Sequence, residues 1–151
     1  MDLAELHWRD LRPTGFNAYV GPMRFTEAGE NLWYAALDLD GRHMNVGGVC
    51  HGGVYMTLAD VAMGAAAYEA GGRHPCATID FQAHFLAAAK QGQTLLAAAR
   101  LNRLVSGVAF MECDLTAGGR RCMRASGIWK LLASRKPAAP GERGEGPESS
   151  A

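Results

Sequence analysis

The sequence carries no charge excess of either sign: 15 Lys and Arg balance 15 Asp and Glu over 151 residues. Bulk charge therefore offers nothing to hold nucleic acid or an anionic membrane, and neither is expected as a partner. No apolar run reaches the roughly 18 residues of a spanning helix. The most apolar segment, 52–70, is interrupted by Asp60 and Glu69. The opening residues MDLAELHWRDLRP lack the basic start and apolar run of a secretory signal. Cysteines are few, and Cys50, Cys76, Cys113 and Cys122 fit no zinc or CxxC spacing. No metal is expected, and the thiols read as small core residues of a cytoplasmic protein. Charged residues are only 20% against 48% hydrophobic, which excludes wholesale disorder.

Aromatic and branched aliphatic residues vanish after Lys136, where three of the six prolines gather. Such a stretch cannot bury enough surface to order itself, so 136–151 is expected to be a disordered tail after one domain, 1–135. Within that domain, 2–10 predicts a short amphipathic helix, with Leu3, Leu6 and Leu11 near one face, ended by Pro13 and Gly15. Extended runs are expected over 17–26 and 31–38. Residues 51–70 are rich in Ala, Leu and Met and predict a long helix that is apolar nearly all round and buried on most faces. In 77–85, Ala77, Ile79, Phe81, Ala83 and Phe85 alternate with Thr78, Asp80, Gln82 and His84, a period of two. That places Thr78 on one polar side with Asp80, Gln82 and His84, lining the site or facing an interface between dimers. Runs 93–105, 107–116 and 121–132 also read as strands, the first weakened by its alanines, and short turns between them favour antiparallel neighbours. The expected class is α+β: a curved antiparallel sheet of five to six strands wrapped around one central helix, about 51–70.

Two features of that helix point to chemistry. Asp60 sits midway along it, where an unpaired buried carboxylate costs several kcal/mol. Either it faces water or an Arg, or it has a task. His51-Gly52-Gly53 opens the helix, where first-turn N–H groups are unsatisfied donors at the positive end of the dipole. Glycines there either serve a turn or let a ligand reach the backbone, and such amides can hold a developing oxyanion. Gly52 and Asp60 are eight residues apart, about 12 Å along one axis, too far to act on one carbonyl. Two antiparallel copies of the helix across a dimer axis would bring them together.

The spacing Asn45-x5-His51-Gly52-Gly53-x6-Asp60 resembles the signature of hotdog-fold acyl-CoA thioesterases of the phenylacetate-pathway (PaaI-like) and thioesterase-superfamily-member-2 type. The resemblance spans about 20–132. It takes in Thr78-Ile79-Asp80-Phe81, the turn Ala89-Lys90-Gln91-Gly92 and the last strand to Trp129-Lys130. It implies hydrolysis of an acyl-CoA thioester by a homodimer or dimer of dimers, with no cofactor beyond the coenzyme A of the substrate. By the same resemblance, the Gly52 amide binds the carbonyl oxygen and Asn45 orients carbonyl or water. Asp60 of the partner chain acts as general base or nucleophile, and Thr78 holds water or carboxylate. The His51 side chain either exchanges protons directly or, by the family analogy, braces the loop carrying Asn45. Gly53, Lys90, Arg103, Ser106 and Gly107 fall where relatives meet coenzyme A. Arg100, Arg121, Arg124 and Arg135 are further basic groups for its phosphates. Tyr55, Met56, Met63, Phe25 and Trp33 belong to the acyl pocket or the core. A Cys50–His51 nucleophile is disfavoured because sequence neighbours rarely supply that geometry. Two other functions stay open: enoyl-thioester hydration or dehydration on the same fold, and acyl-CoA binding without turnover.

Overall fold

A computed structural model describes residues 3–11 and 14–132. The predicted tail and Arg135 lie outside them. The first turn is a 3₁₀ segment, Leu3–Glu5, followed by a two-residue strand β1 (Arg9–Asp10). Helix α1 (Phe16–Val20) leads into β2 (Met23–Gly29) and β3 (Leu32–Asp38). A second 3₁₀ turn, Gly41–His43, precedes the long helix α2 (Gly52–Ala70). Strands β4 (Cys76–Phe85), β5 (Thr94–Val105), β6 (Val108–Ala117) and β7 (Arg120–Leu131) complete the chain. The strands form a seven-stranded antiparallel sheet in the order β1-β2-β3-β5-β6-β7-β4.

The sheet curls around α2. One cross-strand row, Phe25–Ala35–Ala97–Leu115–Met123, is buried from end to end. Against it α2 buries Tyr55, Leu58, Ala59, Ala62, Met63, Ala66 and Ala67. Ala97 and Ala99, which weaken the strand pattern on paper, are fully buried in the sheet. Their short side chains let the helix backbone approach. Phe25, Trp33, Tyr55 and Met63 are core residues, whereas Met56 is exposed.

Three expectations require correction. The described part of the expected helix 2–10 holds only the 3₁₀ turn Leu3–Glu5, and then a strand. Arg9 and Asp10 pair with Phe25 and Arg24, and the Thr26 hydroxyl donates to the His7 carbonyl at 3.0 Å. Sheet pairing outbids a short helix because a helix of nine residues is marginal alone. The expected strand 17–26 is divided: α1 ends before Gly21-Pro22 and the strand starts at Met23. Proline has no N–H to give a ladder or a helix. With β1 counted, the sheet has seven strands rather than five to six.

Strand β4 also departs from strict alternation. Its pairing with β7 shifts between Thr78 and Asp80, so Ile79 is an extra, bulged residue and is 62% exposed. The bulge separates Thr78 from Asp80, Gln82 and His84, with which alternation groups it. Thr78 turns toward α2, while Gln82 Nε2 donates to Asp80 Oδ2 at 3.4 Å on the outer side.

Candidate active site

The start of α2 is built by backbone and caps. His51 is the N-cap, extended at φ −65° and ψ 138°, and its Nδ1 accepts the Gly53 N–H at 2.9 Å. This corrects the bracing expectation: the imidazole caps its own helix rather than the Asn45 loop. Asn45 braces that loop itself, its Oδ1 accepting from Gly47 N–H at 2.8 Å and Val49 N–H at 3.3 Å. The Val54 N–H donates to the His51 carbonyl at 2.9 Å. Among the described residues no acceptor takes the Gly52 N–H. It is the one amide of residues 52–54 left for a ligand, beside the Phe85 ring.

Asp60 lies about two turns beyond Gly52, half-exposed on the face of α2 that the sheet leaves uncovered. That face also carries Met56 and Tyr68, and the other titratable side chain between His51 and Tyr68, Tyr55, is buried in the core. Thr78 Oγ1 donates to Asp60 Oδ1 at 2.8 Å, so the bulge of β4 fixes the carboxylate. Among the described residues no ion pair reaches Asp60. The cleft that opens there has a volume of about 360 Å³ and is walled by Phe16, Met56, Val61 and Phe81, with Asn17 and Thr57 as its other polar groups. The carboxylate thus faces an apolar space with one hydroxyl partner, an arrangement suited to accepting a proton or attacking a carbon.

The thiols take no part. Burial pushes the Cys50 thiol up to about 11, against a smaller lowering by its hydrogen bond with Tyr55. It is a neutral thiol at pH 7, and its own contact is with the His51 carbonyl at 3.7 Å rather than the imidazole. Burial first, and the Asp60 charge second, raise the pKa of Cys76. No group of His, Cys, Asp and Glu able to hold a metal occurs among the described residues.

The candidate residues fall into two sets at opposite ends of the sheet. Lys90 follows Ala89, whose carbonyl accepts the Cys50 N–H at 2.9 Å, so it lies at the end holding Asn45, His51, Gly52 and Gly53. Ser106 and Gly107, with φ of 50° and 70°, form the tight turn between β5 and β6. That turn sits beside Lys130, which pairs with Ala77, and so belongs to the Thr78 and Asp60 end. Arg103 is exposed on the same hairpin, paired with Phe110 across a bulge.

Sequence reasoning missed Phe16 and Asn17, which line the cleft from α1, and His43. His43 is buried at 2% exposure: Nδ1 accepts the Asp40 N–H at 2.9 Å, Nε2 meets the Val20 carbonyl at 2.7 Å, and its carbonyl accepts the His51 N–H at 2.9 Å. It ties α1 to the start of α2. Nothing in the irregular stretch 40–50 marks it out, because these three bonds are to backbone groups, with the Asp40 carboxylate 3.3 Å from Nδ1 besides.

Comparison with known proteins agrees with this architecture. A Pseudomonas aeruginosa protein provisionally named an esterase is 33% identical over 113 residues, 74% of this chain and 84% of that protein. Zebrafish thioesterase superfamily member 2 superposes with a TM-score of 0.71 at 24% identity, covering 78% of this chain and 87% of that one. The phenylacetic acid degradation protein PaaI of Escherichia coli gives 0.65 at 18% identity, covering 74% and 80%. A Streptococcus mutans protein solved with acetyl-CoA bound gives 0.67 at 19%, covering 74% and 90%. At such identities the structures establish the shared hotdog fold. Residues 47–123, which contain the His51-Gly52-Gly53 turn and Asp60, match the thioesterase superfamily, and the chain belongs to that family.

Proposed function

We propose that the protein hydrolyses acyl-CoA thioesters at a site shared by two copies of the chain. One observation carries the reading. Asp60 is an ionisable group on the uncovered face of α2, held by Thr78 and opening into an apolar cleft. In this scheme the thioester carbonyl oxygen accepts the Gly52 N–H, and Asn45 orients the carbonyl or the water. Asp60 of the second copy takes a proton from water as the oxygen attacks the carbonyl carbon. Collapse of the tetrahedral intermediate breaks the C–S bond and expels the coenzyme A thiolate, which takes up the proton. Asp60 attacking the carbon directly, with water cleaving the anhydride afterwards, reaches the same products. A thiolate is a good leaving group, so one base and one amide donor go far. The acetyl-CoA held by the Streptococcus mutans relative supports coenzyme A as the carrier. Lys90, Arg103 and the Ser106-Gly107 turn are the groups proposed to meet it.

The shared site is supported by the axial separation of Gly52 and Asp60, about 12 Å within one helix. It is supported too by the apolar side chains at the β4 edge, Ile79 at 62% and Phe85 at 53% exposure. An apolar edge strand is a pairing surface. Hydration sites generally pair a His with an Asp or Glu for proton transfer, and the Nδ1 of His51 is taken up by Gly53. Thiol release from an acyl-CoA panel tests the proposal. Asp60→Asn is expected to lower kcat by about 10²–10⁴-fold. Unchanged turnover would remove Asp60 from the reaction. Hydration of crotonyl-CoA without thiol release would make the protein a hydratase, and tight binding without either reaction would make it a binding protein.

A further inference from the structure

We infer that α1 selects the acyl group, with Phe16 as the partition that limits its length. The inference rests on the thioesterase reading above. Two clefts open along the uncovered face of α2. One, about 360 Å³, ends at Asp60; the other, about 410 Å³, ends at His51 and Gly53. Phe16 and Thr57 line both. Thr57 is part of α2 itself, its hydroxyl donating to the Gly53 carbonyl at 2.8 Å. Phe16 is therefore the removable wall between them.

Phe16 is 67% exposed. A buried phenyl side chain stabilises a fold, and this one forgoes most of that gain. The short helix that carries it is nevertheless tied down. The far end of α1 is anchored where the Val20 carbonyl meets His43 Nε2 at 2.7 Å and the Gly21 carbonyl accepts from Arg42 at 2.5 Å. Those anchors lie at one end of a five-residue helix and Phe16 at the other. An acyl group whose carbonyl carbon sits at the Asp60 carboxylate has Met56, Val61 and Phe81 beside it, and the ring of Phe16 where the cleft stops. A short or compact acyl group fits without moving the ring. A longer chain has to displace it to reach the second cleft. Removing the ring joins the two spaces.

The test is kcat/KM over straight-chain acyl-CoA thioesters from acetyl to lauroyl, for the full chain and for two variants. Phe16→Ala is expected to shift the optimum to longer chains and raise the long-to-short ratio at least tenfold, mainly through KM, since even one methylene in a pocket is worth about 10–200-fold. Phe16→Trp is expected to shift it to shorter chains. Melting curves confirm that both variants fold. Variants that keep the wild-type profile, or lower every chain length equally, would overturn the partition and leave the thioesterase reading standing. Wild-type protein releasing thiol from no acyl-CoA would remove both.

Discussion

Gly52 and Gly53 are adjacent yet serve different ends. The Gly53 N–H is consumed by the His51 cap, and a Cβ there would press on that imidazole at 3.1 Å. Gly52 keeps its N–H, and a Cβ would meet only the Phe85 ring at an ordinary 3.5 Å. Proline removes the N–H, and the first helical position is where a helix accepts it. His51, with ψ 138°, already has the backbone a following proline requires. Gly52→Pro is therefore expected to leave the melting temperature nearly unchanged and to lower kcat by about 10²–10³-fold, the usual loss of one oxyanion donor. Gly52→Ala, which keeps the N–H, is expected to retain most activity. Equal rates in the two variants would take the amide out of the mechanism. The sequence already marks this amide, since a glycine pair opening an apolar helix exposes backbone. It does not mark the His51 imidazole as the cap. The usual capping side chains are Ser, Thr, Asp and Asn, and a histidine does the same work only when its Nδ1 is turned inward.

Among the elements, the bulge in β4 decides where Thr78 points. Were Ile79 paired regularly instead of bulged, Thr78 would share the outer side with Asp80 and lie away from Asp60. Gly127 on β7, paired with Phe81, makes room for the bulge: a Cβ there would stand 2.5 Å from the Asp80 carbonyl oxygen and 2.8 Å from the Trp129 ring. Neither is the tip of a flexible side chain. Gly127→Ala is expected to destabilise the protein by about 1–3 kcal/mol, read from the urea midpoint. It is also expected to lower kcat, because the displaced backbone lies two residues from Thr78. A variant with wild-type stability and rate would show that the bulge tolerates crowding. The period-two pattern of 77–85 makes the strand legible but hides the bulge, since the inward Thr78 is polar and the bulged Ile79 apolar, so the letters keep alternating where the faces do not. Helix α1 was hidden for a related reason. Phe16, Tyr19 and Val20 favour strands, five residues are too few to show a helical period, and the bonds from Arg42 and His43 that anchor it come from over twenty residues away.

At the scale of the whole molecule, the long helix, the strands after it and a sheet curled around that helix were legible because each follows from local periodicity, while the hotdog family was legible from the spacing of Asn45, His51-Gly52-Gly53 and Asp60. The proposed pairing of two chains is legible only as a deficit: two halves of a site too far apart on one rigid rod. That deficit makes a sharp prediction. In a heterodimer of a Gly52→Pro chain and an Asp60→Ala chain, one site combines both lesions. The other site combines the intact Gly52 of one chain with the intact Asp60 of its partner. Random assembly makes about half of the dimers mixed, each with one working site of two, so about a quarter of wild-type activity is expected from two parents that are each nearly inactive. Refolding the parents together from denaturant, beside each refolded alone, measures it. Sites built within one chain would give no recovery at any mixing ratio, because every chain would then carry one of the two lesions in its own site.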